Sequence, residues 1–253
     1  MHTERHIRLH GAHNVRDLGG YAAGNGATTR WRSFLRADAL HELSPADVAA
    51  LLDLGLRTVI DLRSDIELAR QPSTLADRKG IAYHHVPLFD GLAPVDAMLA
   101  GDAGFDLSAR YVAAIDTCRP AVARVAAVIA EAEDGVVLFN CTAGKDRTGI
   151  VAAMLLSLAG VDRRDIAADY ALTASLAGPL MERLMLGAVA RGLDETTSRR
   201  LLSSEPGAML AFLDQVESRH GGFQAYLGEA SIADEALRRI GARLLAPPPP
   251  AGA

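Results

Sequence analysis

Apolar positions along the chain fall into two spacings, and the spacing predicts which segments are strands and which are helices. Arg57-Thr58-Val59-Ile60-Asp61-Leu62, Ile81 to Leu88 and Val136-Val137-Leu138-Phe139 are short apolar runs that read as strands. Thr29 to Leu35 reads as a further strand, after the turn signals Gly19-Gly20 and Gly24-Asn25-Gly26. Ser44-Pro45-Ala46-Asp47 predicts a helix start: Ser44 is the N-cap, Pro45 takes the first helical position and Asp47 completes a capping box. That helix stops near Gly55. Ser64 to Arg70 also reads as helical, and Asp106 to Ala132 as two helices divided at Arg119-Pro120. From about Arg147 to Leu158, Ile150, Val151, Met154, Leu155 and Leu156 cover most of the circumference, which predicts a central, buried helix. Strands alternating with helices give an α/β fold, a mainly parallel sheet flanked by helices.

After Gly160 the pattern is purely helical. Asp162 with Asp165 caps a helix through Tyr170, and Pro179 to Arg191 forms another, with Leu180, Leu184 and Met185 on one stripe. Two more cover Gly207 to Arg219 and Ser231 to Leu245. The stripe reads either as core packing or as the face of a lid. These elements predict one domain over residues 1–246, with an α/β core at about 12–160 and a helical extension at 161–246. Pro247 to Pro250 opens a disordered tail, residues 247–253. No internal repeat is present.

Composition narrows the function classes. Of 253 residues, 49% are hydrophobic, 23% charged and 5% aromatic, an ordinary globular balance that can bury a core without staples. The net charge of −5 argues against a general nucleic-acid binder while leaving room for a local basic pocket. Two cysteines, Cys118 and Cys141, make no disulfide framework. The polar N-terminus, Met1 to His6, lacks the apolar core of a signal peptide, and the apolar stretch Ile150 to Ala159 is too short for stable membrane insertion. The expectation is a soluble, cytoplasmic protein, with export by a route needing no cleavable signal left open.

The informative segment is Phe139-Asn140-Cys141-Thr142-Ala143-Gly144-Lys145-Asp146-Arg147-Thr148-Gly149. A cysteine and an arginine five residues apart lie between a buried strand and a helix start. The backbone N–H groups of Thr142, Ala143, Gly144 and Lys145 can converge on one anion there, helped by the positive end of the helix. Gly144 permits close approach or a positive φ, and Arg147 grips two phosphate oxygens with its planar fork. The same field favours the thiolate of Cys141, and the Thr148 hydroxyl is placed to donate to that sulfur. The chemistry this suits is a two-step transfer, in which Cys141 attacks phosphorus and water hydrolyses the phosphocysteine.

The loop resembles the Cys-x5-Arg signature of protein tyrosine phosphatases. In particular it resembles the atypical bacterial branch, the protein tyrosine phosphatase B-like or triple-specificity phosphatases, with their Ala-Gly-Lys-Asp-Arg-Thr-Gly loop. Asn14-Val15-Arg16-Asp17-Leu18-Gly19-Gly20 resembles that branch's N-terminal motif. Asp61-Leu62-Arg63-Ser64 followed by Glu67 resembles its strand–helix motif, and Asp169-Tyr170 with Leu172-Thr173 its post-loop helix. The matches run from about residue 12 to 230 in family order. The resemblance implies a phosphatase without metal or organic cofactor, acting on phosphotyrosine. It also implies phosphoserine, phosphothreonine or phosphoinositide substrates for some members. Lys145 is consistent with anionic, multiply phosphorylated substrates, or simply faces solvent.

The family usually has histidine before the cysteine, and this chain has Asn140, whose amide can still donate a hydrogen bond. A leaving oxygen needs a proton, usually from an aspartate. Asp146, in the loop itself, is the first choice, with Asp61 and Asp90 as alternatives at strand ends. Arg16 either lines the phosphate pocket or forms a structural pair with Asp17. Cys118 has no functional context, and adjacent strand residues such as His84 and His85 point to opposite faces, a poor arrangement for sharing a metal. Gly144-Lys145 lacks the Ser or Thr and the first Gly of a nucleotide-binding loop. Two readings besides a phosphatase stay in view. One is a phosphate-recognition module with little turnover; the other is a sulfur-transfer enzyme, against which the Asp-Arg-Thr-Gly ending argues.

Overall fold

A computed structural model describes residues 4–88 and 107–246. Five strands form one sheet: β1 (Arg16–Asp17), β2 (Phe34–Ala37), β3 (Leu56–Asp61), β4 (Ala82–His85) and β5 (Val136–Asn140). Their order is β1-β2-β5-β3-β4, with β1 antiparallel to β2 and every other pairing parallel. β5 is the centre and is buried at all five positions. Ala37 and Asp61 both pair with Asn140, so three strands end level and the segment after Asn140 leaves from their shared carboxyl edge.

Eleven described helices surround the sheet. They are α1 (Pro45–Asp53), α2 (Asp65–Arg70), α3 (Leu107–Thr117), α4 (Arg119–Glu131), α5 (Asp146–Leu158) and α6 (Arg163–Leu176), followed by α7 (Gly178–Ala190), α8 (Glu195–Leu202), α9 (Pro206–His220), α10 (Phe223–Glu229) and α11 (Asp234–Leu244). Strand side chains alternate between two cores, as a period of two requires. Leu35, Val59 and Leu138 pack with α1 on one face. Phe34, Ile60, Val137 and Phe139 pack on the other with α4 and α5, and every residue of α5 from Asp146 to Leu156 is buried. Phe212, Phe223, Tyr226, Leu227, Ile240 and Leu244 of the last helices belong to that same core. No helix among the described residues is long and apolar enough to cross a membrane.

Several boundaries differ from the pattern-based reading. The capping box of Ser44 and Asp47 is present, and Gly55, at φ +92°, follows the end of α1. The strand expected from Thr29 begins only at Phe34. Residues 31–33 form a turn in which Arg32 sits at φ +55°, and Thr29 instead bridges to Leu245. β4 stops at His85, although Val86 and Leu88 still donate to the carbonyls of Asp61 and Leu62. α6 runs six residues past Tyr170, and the polar α8 carries no periodic apolar signal that announces it. Leu180, Leu184 and Met185 of α7 are only half-buried, and Leu186 on the same helix is 60% exposed. Asp90, Asp106 and the proline-rich tail lie outside the described residues.

Candidate active site

The segment from Cys141 to Lys145 crosses from β5 to α5 with its carbonyl groups turned outward. The carbonyl of Thr142 accepts from the Ala39 amide at 3.2 Å. Those of Ala143 and Gly144 accept from the Asn14 side-chain amide at 2.9 and 3.1 Å. Arg36 donates to Gly144 at 2.8 Å and to Lys145 at 3.4 Å. Four consecutive carbonyls held from behind leave the loop's N–H groups facing the other way. Among the described residues, no acceptor takes the N–H of Thr142, Ala143, Gly144 or Lys145. A row of unmatched donors at a helix N-terminus, half-buried at Thr142 and Ala143 and buried at Gly144 and Lys145, has the chemistry to hold an anion. Gly144 makes the turn possible: its φ is +64°, and a Cβ there would lie 2.7 Å from the Ala37 carbonyl oxygen.

Arg147 follows in the first turn of α5 and is buried. Its Nη1 and Nη2 donate to the two carboxylate oxygens of Glu67 at 2.5 and 2.7 Å. Glu67 also accepts from the Thr142 hydroxyl, and from the Ser64 amide at 2.8 Å as the second half of the α2 capping box. Burial acts to raise the pKa of Glu67, but hydrogen bonds and charge from Arg147 outweigh it and hold the carboxyl at about 2. Burial likewise opposes the charged guanidinium. The Glu67 hydrogen bonds and the charges of Cys141, Glu67 and Asp146 nevertheless raise the Arg147 pKa above its ordinary value.

Cys141 heads the loop and is a free, buried thiol. Two of its neighbours behave differently from expectation. The Thr148 hydroxyl, expected to donate to the sulfur, is fully buried and has no hydrogen-bond partner among the described residues. The Asn140 amide was expected to donate a hydrogen bond. Both of that amide's polar atoms are also buried without a partner among the described residues, while its backbone carbonyl accepts from Leu62 N–H at 2.8 Å. The β5 register fixes Asn140 between Ala37 and Asp61, which directs its side chain into the sheet's packing.

Asp146 opens α5. Its Oδ1 accepts from the Tyr111 hydroxyl at 2.5 Å and from the Tyr170 hydroxyl at 3.4 Å, and the Lys145 ammonium lies 3.6 Å away. Lys145 itself neither faces solvent nor is free to meet a substrate anion. Its Nζ donates to the carbonyls of Leu201 at 2.6 Å and Ser203 at 2.9 Å, the unmatched acceptors at the end of α8. Its backbone N–H remains in the loop. Asp61, an alternative proton donor, is fully buried and bound by Arg63 at 2.7–3.1 Å and Tyr83 at 2.8 Å, so it has no path to a substrate.

Arg16 corrects a further expectation. It does not line the pocket, and its partner is Asp169 rather than Asp17: Nε meets Asp169 Oδ1 at 3.1 Å, and Nη1 donates to the Asn14 side chain. Asp17 instead accepts the amides of Gly19 and Arg32. Arg36 meets the second oxygen of Asp169, and Tyr21 donates to the first. Burial opposes the Asp169 charge, but Arg16 and Arg36 hold its carboxyl at about 2. This cluster stands behind the loop and aims Asn14 and Arg36 at the loop's carbonyls. Arg36 and Tyr111 lie outside the sequence motifs around Cys141. An arginine inside the buried strand Phe34-Leu35-Arg36-Ala37 was a signal for the first; nothing local marks the second.

Thr142 also walls a cavity of about 210 Å³, bounded by His13, Gln71 and, from α7, Leu180, Arg183 and Leu184. Comparisons with known proteins identify the family of the chain. A tyrosine-protein phosphatase of Nostoc commune is 34% identical over 221 residues, covering 84% of this chain and 74% of the relative. The triple specificity protein phosphatase PtpB of Mycobacterium tuberculosis is 29% identical over 280 residues, covering 94% and 98%. A family model described as the tyrosine phosphatase family matches residues 7–246, and the chain belongs to that family.

Proposed function

We propose that this phosphatase hydrolyses phosphotyrosine through a phosphocysteine on Cys141. The observation that carries the reading is the row of loop N–H groups, from Thr142 to Lys145, set beside the Arg147 fork. In the first step the Cys141 thiolate forms a P–S bond as the bond from phosphorus to the leaving oxygen breaks. That oxygen takes a proton from Asp146. In the second step water attacks phosphorus, Asp146 takes the water's proton, and phosphate leaves with the thiolate restored. Loop amides and Arg147 hold the three equatorial oxygens through both steps, where charge is greatest. Every step uses the chain's own groups.

The cavity beside Thr142 offers room for the part of a substrate beyond its phosphate, with apolar walls from Leu180 and Leu184 and a polar side where Arg183 lies 3.9 Å from Glu42. The name of PtpB, a triple specificity protein phosphatase, supports a range wider than phosphotyrosine, and phosphoserine, phosphothreonine and phosphoinositides are the range to be tested. A reducing compartment such as the cytoplasm suits a reaction that needs a free thiol.

The test is phosphate release from phosphotyrosine peptide, phosphoserine peptide and phosphoinositide, by wild type and by Cys141→Ser. The reading predicts release by wild type, greatest from phosphotyrosine, that is lost in the variant. Binding of phosphopeptide without release from any substrate contradicts it, and favours a recognition module.

A further inference from the structure

Two tyrosines buried behind Asp146 have no role in the reaction as written. Tyr111 comes from α3 and Tyr170 from α6, while Asp146 starts α5, so three helices meet at one carboxylate. Both hydroxyls donate to the same oxygen, Oδ1, and Tyr111 lies 3.2 Å from Tyr170. No group among the described residues bonds Oδ2. The convergence is built into the packing. The ring of Phe212 tilts against Tyr111 at 5.6 Å, and Gly149 admits Tyr170, whose ring would lie 3.1 Å from a Cβ at that position.

We propose that Tyr111 and Tyr170 are positioning residues for proton transfer, anchoring Oδ1 of Asp146 so that the transferable proton rides on Oδ2. This rests on the reading of Asp146 as the general acid. A neutral carboxyl has one carbonyl oxygen that accepts and one hydroxyl that donates. Two O–H donors on Oδ1 select it as the acceptor and leave Oδ2 to carry the proton. When the P–O bond breaks, its electron pair stays on the leaving oxygen, which takes that proton; the carboxylate left behind keeps its anchor on Oδ1. Burial pushes both phenols well above their ordinary pKa, so they stay protonated donors throughout.

The test compares kcat/KM, which reports the step that releases the phenol, for p-nitrophenyl phosphate and phenyl phosphate. The first leaving group departs without a proton and the second needs one. Tyr111→Phe and Tyr170→Phe keep the rings and remove only the hydroxyls. Each is expected to lower kcat/KM on phenyl phosphate by about 10- to 100-fold, part of the full general-acid effect, and on p-nitrophenyl phosphate by less than about threefold. Equal losses on both substrates, or none on either, overturn the inference. Asp146→Asn separates the failures. Discrimination in Asp146→Asn but not in the tyrosine variants overturns the positioning role alone. Its absence in Asp146→Asn overturns the acid role and the positioning role together.

Discussion

Glu67 meets Arg147 edge to edge, with its two carboxylate oxygens 2.5 Å from Nη1 and 2.7 Å from Nη2. A guanidinium has five N–H donors. This contact uses the edge between the terminal nitrogens and leaves Nε–H outside it, while Nη2 also donates to the Thr142 hydroxyl at 3.3 Å. Glu67 therefore aims the guanidinium. Glu67→Gln is expected to lower kcat/KM for phosphotyrosine by about 10- to 100-fold, the scale of a misplaced binding group. Steady-state kinetics check this, and an unchanged kcat/KM would contradict it.

The same pair makes stability depend on pH. The Glu67 carboxyl is depressed from 4.5 to about 2 in the folded chain. Its contribution is therefore fully present above about pH 4.5 and is lost as pH falls from there to about 2. Urea unfolding of wild type and Glu67→Gln should show a difference at pH 7 that shrinks across that window. A difference that stays constant down to pH 2 would contradict the assignment.

Asp169 supports the loop from behind by holding two buried arginines, Arg16 and Arg36. Asp169→Asn leaves both charges without a carboxylate, and breaking a buried pair in this way costs about 3–5 kcal/mol. Denaturant unfolding is expected to register that loss, with phosphatase activity falling alongside because Arg36 also holds the Gly144 carbonyl. A loss below about 1 kcal/mol, the scale of an exposed pair, would contradict the burial argument.

Gly144→Ala tests the loop itself. The left-handed conformation costs an L-residue about 1–2 kcal/mol, and the new Cβ would press on the Ala37 carbonyl at 2.7 Å. The loop must deform, so weakened competitive inhibition by inorganic phosphate is expected in a chain that still unfolds cooperatively. Unaltered inhibition would mean that the loop amides do not bind the anion.

Lys145→Met should act on stability rather than on substrate choice. The ammonium holds the carbonyls of Leu201 and Ser203, and hydrogen bonds to a charged group are worth about 1.5–3 kcal/mol each. Unfolding measurements should register a loss on that scale. The ratio of kcat/KM between doubly and singly phosphorylated peptides should stay the same. A ratio that changes tenfold would return Lys145 to the substrate.

The parts of the site legible in the sequence are those set by local chemistry. A buried strand, a glycine and a helix start around Cys141 and Arg147 dictate the loop, and Ser64 with Glu67 dictates a capped helix. The outward pull on the loop was not legible. It depends on Asn14 and Arg36 reaching Gly144 across more than a hundred residues of chain. Lys145 was misread for the same reason, since its partners sit on α8, more than fifty residues away. Thr148 was given a donor's role from its place just after Arg147 and Asn140 from its place before Cys141, yet position in sequence does not aim a side chain.

The central claim is a covalent phosphocysteine, and the direct measurement is to trap it. Wild-type chain mixed with 32P-labelled phosphotyrosine peptide and quenched in acid within the first turnover should carry label on the peptide containing Cys141, and Cys141→Ser should carry none there. Rapid release of phosphate from wild type with no label on Cys141 at any quench time would contradict the claim.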